Sequence, residues 1–198
     1  MRPDYTLILP CKGEDCQLGE TLANAAVGYG IPTHLIANCL YGDAIQKGIR
    51  RAKTEWIATM DTDGQHTWED LQTVCGAQPD YRADMVIGQR EGTWTPRGMA
   101  SAALNLTTSI LAGSRVPDMG SGVRIFRRAV ALRLLPTLPT GFPFNASLTL
   151  GFLLKRQRVV WVAIPRRART QGRSSVQLMD GVRTLQSLLK VRHACQHG

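Results

Sequence analysis

The chain is poor in aromatic residues, which make up 6% of its 198 positions, and no apolar run in it is long enough to cross a bilayer. Its opening MRPDYTLILP has too short an apolar stretch for a signal peptide. The most apolar later stretch, 142–154, is broken by Pro143 and Asn145. The five cysteines, Cys11, Cys16, Cys39, Cys75 and Cys195, are odd in number and form neither a CxxC pair nor a zinc-like quartet. A reduced, cytoplasmic setting is the expectation. Internal repeats and low-complexity linkers are absent as well.

Acidic residues are also scarce. The chain has 15 of them against 24 Lys and Arg, a formal charge of +9 that favours a polyanionic partner: nucleic acid, an anionic lipid surface or a phosphate-rich small substrate. With 43% hydrophobic and 20% charged residues, the composition is that of a folded globular protein. Its length suits one domain over 1–198.

Short β-rich runs at 5–9, 33–37, 56–60, 84–88 and 159–164 alternate with helical spacing at 18–27, 43–53, 68–76 and 99–112. This alternation predicts an α/β fold with a mostly parallel central sheet flanked by helices. Near the end, Val176, Met179, Val182, Leu185, Leu188 and Leu189 form an apolar stripe, with Arg183, Lys190 and Arg192 on or beside the other face. The spacing predicts an amphipathic helix over 175–194, packed on the sheet or, as the alternative, lying on a membrane surface.

The segment WIATMDTDGQHTWEDL runs from a β-like stretch into Asp61, Asp63 and Gln65 and then into a helix. Two carboxylates thus lie at the C-terminal end of a strand, the edge where open α/β sheets bind ligands. Carboxylates so spaced can share Mg2+ or Mn2+ with diphosphate oxygens, and Gln65 can add a neutral oxygen. Alone, Asp-x-Asp-Gly is also what a turn before a helix demands.

The surrounding strings lift the motif above that. YGDAIQKGIRRA from Tyr41, MDTDGQH from Met60, DMVIGQR from Asp84, DMGSGVRIFRR from Asp118, GFPFN from Gly141 and VAIPRRARTQGRSS from Val162 follow one another along the chain. In order and spacing they resemble family-2 glycosyltransferases of the GT-A fold. The similarity is greatest to the branch of dolichyl- and polyprenyl-phosphate mannose or glucose synthases. The resemblance implies transfer of a hexose from a nucleotide sugar (GDP- or UDP-hexose) to a polyprenyl-phosphate acceptor at the cytoplasmic face of a membrane, with a membrane surface or a membrane subunit as partner. It also implies residue roles. Asp61, Asp63 and Gln65 would hold the metal and donor, Pro10 and Glu14 would border the base, and Asp63 and Asp118 would stand at the reacting centre. Arg90, Arg97, Ser101, Arg124 and Arg169 would bind the acceptor phosphate. Guanidinium groups suit that task, since they form bidentate bonds to phosphate and stay charged. Nucleic acid is not an expected partner, because no zinc finger or aromatic RNA motif accompanies the charge.

Several strings depart from the family pattern. Lys12 and Gly13 stand where an aromatic and an Asn are usual, and no Asp-Asp-Gly-Ser-like turn occurs between Leu22 and Tyr41. One βα unit of the usual fold is therefore expected to be missing. Gly172, Arg173, Ser174 and Ser175 replace Gly-x-Ser-Lys, and Ser147 lies where a Glu is common nearby. These losses motivate the alternative of an impaired or truncated relative that acts as a binding or regulatory subunit.

Overall fold

A computed structural model describes residues 4–13, 15–91, 96–170 and 178–197. Its six strands are β1 (Tyr5–Cys11), β2 (Thr33–Ala37), β3 (Trp56–Thr59), β4 (Met85–Arg90), β5 (Arg124–Arg127) and β6 (Val159–Ile164). They form one sheet in the order β2-β1-β3-β5-β4-β6. Every residue of β1 and β3 is buried, as required of strands covered on both faces.

Among the described residues seven α-helices surround the sheet: α1 (Asp15–Gly28), α2 (Tyr41–Arg51), α3 (Trp68–Tyr81), α4 (Pro96–Ala112), α5 (Arg128–Leu134), α6 (Phe144–Leu154) and α7 (Leu178–His197). Alternation along the strands builds a core on each face. Leu7, Leu9, Ala58, Val86 and Ile125 meet α1 and α3 through Ala26, Leu71, Val74 and Cys75. Ile8, Ile57, Met85, Ile87 and Phe126 meet α2, α5 and α6 through Ile45, Ile49, Val130, Leu134, Leu148 and Phe152.

The sheet is mostly parallel, as expected, and is mixed by one strand of opposite direction. β5 runs antiparallel to both neighbours, β3 and β4, whereas β1–β2, β1–β3 and β4–β6 are parallel. Because β5 separates two strands of one direction, β1, β3, β4 and β6 all end on the same edge. Between β1 and β3 the chain makes α1, the one strand β2, and α2, and this side of the sheet closes at β2.

Two expectations change. The C-terminal helix packs on α6 and α4 rather than on the sheet. It turns Asp180, Thr184, Leu188 and Val191 inward, leaving Val182, Leu185 and Leu189 exposed. The residues expected at its start, 175–177, lie outside the described ones. Cys11 and Cys16, expected as free thiols, form a disulfide across the β1–α1 turn, their Cα atoms 5.0 Å apart; Cys39, Cys75 and Cys195 remain thiols. Among the described residues no helix is long and apolar enough to cross a membrane.

Candidate active site

The shared strand edge brings the chemistry-bearing residues together. Asp61 and Asp63 follow β3, Arg90 closes β4, Arg169 follows β6, and Ser121 and Gly122 precede β5. The acidic loop is fixed from both ends. Thr62 Oγ1 donates to the Pro10 carbonyl at 3.0 Å, and Asp63 Oδ1 accepts the Gln65 amide at 3.0 Å. A capping box at Thr67 and Asp70 then starts α3 directly after the loop.

Asp61 is half-buried, with its carboxylate lying across Gly122. A Cβ added at Gly122 would fall 2.0 Å from Asp61 Cγ. Tyr41 donates its hydroxyl hydrogen bond to Asp61 Oδ1 at 2.9 Å. Burial, together with the charge of Asp63, pushes the Asp61 carboxyl above its ordinary value. Next to it His66 is buried, and neither of its ring nitrogens has a hydrogen-bond partner among the described residues. Burial holds this imidazole below its ordinary value.

Asp63 is 4% exposed and forms an ion pair with Arg169 at 2.8 Å. Residues 167–170, after β6, strap the acidic loop. Thr170 N donates to the Asp63 carbonyl at 3.1 Å, Gln65 Nε2 donates to the Arg167 carbonyl at 3.2 Å, and Arg167 pairs with Asp70. With its amide nitrogen committed, Gln65 has Oε1 left to offer. The Asp63 carboxylate already attracts a cation, and two carboxylates with an amide oxygen are hard donors of the kind that Mg2+ and Mn2+ take. The donor set therefore fits a divalent ion whose remaining ligands come from a diphosphate. Among the described residues no group of three or more His, Cys, Asp and Glu side chains is assembled to hold a metal unaided.

Arg90 binds Asp118 through Nε at 2.9 Å and Nη2 at 3.1 Å, with side chains 16% and 6% exposed. Burial alone would raise the Asp118 carboxyl, yet the hydrogen bonds and charge of Arg90 outweigh it and hold the group below its ordinary value. Asp118 is thus placed as the anchor of Arg90, whose Nη1 makes no hydrogen bond among the described residues. The electrostatic reach of Arg90 extends to both Asp61 and Asp63.

Arg124 has an internal position. It is wholly buried, and its guanidinium donates to the carbonyls of Met119, Ser121 and Asn145 and to Thr149 Oγ1. These bonds tie the loop before β5 to α6 and occupy donors that a phosphate would need. Ser101 lies exposed on α4, one turn beyond Arg97, whose side chain is outside the described residues, as is Glu14. Pro10 is buried in β1 beside the acidic loop. Two site residues were not singled out from the sequence, Tyr41 and Asn145. Asn145 Nδ2 donates to the Tyr41 oxygen at 2.8 Å. Their strings had been noted, but only folding brings α2 and α6 to the carboxylate.

The profile described as "Glycosyl transferase family 2" matches residues 33–133, which include β2, the acidic loop, Arg90 and β5. The chain belongs to this glycosyltransferase family. Solved structures agree on the fold. Glucosyl-3-phosphoglycerate synthase from Mycobacterium tuberculosis in complex with Mn2+, UDP and glucosyl-3-phosphoglycerate superposes with a TM-score of 0.69 at 16% identity, over 96% of this chain and 80% of that one. The same enzyme with Mn2+, UDP-glucose and phosphoglyceric acid gives 0.70 at 14% identity, and with Mg2+ and UDP 0.66 at 14%, each over 96% and 80% of the two chains. None of the curated proteins compared by sequence matches the chain. The GT-A type of fold, with its six-stranded mixed sheet between helices, is therefore this glycosyltransferase's fold.

Proposed function

We propose that this family-2 glycosyltransferase moves a hexose from a nucleotide sugar to a phosphate-bearing acceptor, specifically a polyprenyl phosphate at a membrane surface. The observation that carries this reading is the meeting of Asp61 and Asp63 with Arg90 and Arg169 on one sheet edge. Opposite charges gathered there suit two anionic substrates, one bound through a cation and one bound directly.

Asp61 and Asp63, with Gln65 Oε1, would hold Mg2+ or Mn2+ against the donor diphosphate, beside Pro10 and Glu14 at the base. A bound divalent cation supplies neutralisation of charge on the departing diphosphate. Arg90, oriented by Asp118, offers Nη1 to the acceptor phosphate, together with Arg97 and Ser101 at the start of α4. Arg169, now paired with Asp63, is a cation that a metal would displace from that carboxylate, and its charge then serves the acceptor phosphate. An acceptor phosphate oxygen, already ionised, forms the new bond to the anomeric carbon as the bond to the diphosphate oxygen breaks. No general base is needed, so Asp118 serves by positioning.

The similar solved structures carry a UDP donor and a small phosphate-bearing acceptor, which supports a phosphate acceptor without choosing the lipid. The lipid is favoured by the strings shared with the polyprenyl-phosphate branch. It is also favoured by the exposed Val182, Leu185 and Leu189 on α7, a surface for peripheral attachment beside basic residues. A second reading, a binding subunit without activity, draws on the single βα unit between β1 and β3. The test crosses labelled UDP- and GDP-hexoses with a short polyprenyl phosphate and with 3-phosphoglycerate, with and without Mn2+. Transfer to the polyprenyl phosphate alone is the expected outcome. Transfer to the small acceptor alone would overturn the lipid assignment, and no transfer with intact donor binding would favour the second reading.

A further inference from the structure

The acidic loop is held by more than its own backbone. Tyr41 is the first residue of α2, and its hydroxyl lies 2.9 Å from Asp61 Oδ1. Asn145, in the first turn of α6, places Nδ2 2.8 Å from the same hydroxyl oxygen and 3.4 Å from the Ser121 carbonyl. The directions in this chain are forced. A carboxylate only accepts, so Tyr41 donates to it; the phenol oxygen then accepts, which selects the amide nitrogen of Asn145.

The Asp61 carboxylate is consequently clamped. Gly122 bars one side at a distance no side chain could share, and Tyr41 holds Oδ1. The backbone of Asn145 is itself fixed, since its carbonyl accepts from Arg124 Nη1 at 3.2 Å. In committing its amide nitrogen to Tyr41, Asn145 leaves its buried Oδ1 without a partner among the described residues. An arrangement serving packing alone would satisfy both ends of the amide or use an apolar side chain. The clamp's cost is borne where it sets the orientation of one carboxylate.

We propose that Tyr41 and Asn145 are positioning residues of the donor site, fixing the orientation of the Asp61 carboxylate for a metal-bound nucleoside diphosphate. This rests on the reading of Asp61 as a donor-site ligand. A free aspartate carboxylate turns broadly about its terminal torsion, and the clamp removes that freedom before the ligand arrives.

The test is calorimetric titration of the full chain with UDP and with GDP, each with and without Mn2+. The variants are Tyr41→Phe, Asn145→Ala, their double, Asp61→Asn, and Asp61→Asn with Tyr41→Phe. Tyr41→Phe keeps the ring and deletes one hydroxyl, and circular dichroism melts confirm that each variant is folded. Removing a hydrogen bond to a charged group predicts a loss of about tenfold or more in Mn2+-dependent affinity, with metal-free binding unchanged. The double variant should bind no worse than Tyr41→Phe, and Tyr41→Phe should have no effect once Asp61 is Asn. Wild-type affinity in Tyr41→Phe, equal losses with and without Mn2+, or an undiminished effect on the Asp61→Asn background would overturn the proposal. If Asp61→Asn itself binds the Mn2+ nucleotide as wild type does, the donor-site reading fails and the proposal with it. An impaired Asp61→Asn beside an unaffected Tyr41→Phe overturns the proposal alone.

Discussion

Replacing Gly122 by Ala tests the tightness of the site in one step. The new Cβ would lie 2.0 Å from Asp61 Cγ and Oδ2 and 2.3 Å from Oδ1, where ordinary contact is 3.4–4 Å, so something must retreat by well over an ångström. The backbone is poorly placed to do so: the Gly122 carbonyl accepts from Thr59 Oγ1 at 2.9 Å, and the Val123 carbonyl accepts from Gly88 N at 3.0 Å. The carboxylate must therefore swing and release Tyr41. Overpacking costs about 1–3 kcal/mol, and losing a hydrogen bond to a charged group about 1.5–3, so the substitution should destabilise the fold by about 2.5–6 kcal/mol. Urea unfolding measures this as a lower midpoint at unchanged slope, and titration with UDP and Mn2+ should show loss of metal-dependent binding in the remaining folded protein. A cost below about 1 kcal/mol with donor affinity intact would refute the packing of Asp61 on Gly122.

Asp118→Ala should strand a nearly buried guanidinium, Arg90, and lower stability by about 3–5 kcal/mol in chemical denaturation. The pH dependence has a defined sign. The Asp118 carboxyl lies below its ordinary 3.8 when folded, so its contribution is complete above that value and is lost as pH falls through the folded one. Asp118→Asn should therefore flatten the acid limb of a stability-against-pH curve. Arg169→Ala removes the cation paired with Asp63, so Mn2+ should bind more tightly in calorimetry while the acceptor KM rises. Alkylation of the unreduced, denatured protein should label three of the five cysteines, sparing Cys11 and Cys16; five labelled thiols would contradict the disulfide.

Much of the architecture could be read from local pattern, because strands such as Thr33–Ala37 and Val159–Ile164 and helices such as Trp68–Tyr81 are bounded by clear turn or capping signals. Two elements carried no such signal. β5 is four residues with Arg at both ends, and α6 is buried around nearly its whole circumference, so no amphipathic period marks it. The antiparallel insertion of β5 is a tertiary fact, as is the exposure of Val182, Leu185 and Leu189 on α7: Asp180 and Thr184 turn inward instead, Thr184 donating to the Asp180 carbonyl. In the site, the Asp61 and Asp63 pair was legible from its place after a strand. The partners of Arg90, Arg124 and Arg169 were not. Three arginines of one type met three fates, anchored to Asp118, enclosed by carbonyls, and laid on Asp63. Only the sheet edge distinguishes them.

The central claim is that Asp61 and Asp63 bind a nucleotide through a divalent ion. Its most direct test is titration of the chain with UDP and GDP, with and without Mn2+, on the wild type and on Asp63→Asn. Binding of one nucleotide that requires Mn2+ and disappears in Asp63→Asn is the predicted result; binding indifferent to both the ion and the substitution would contradict it.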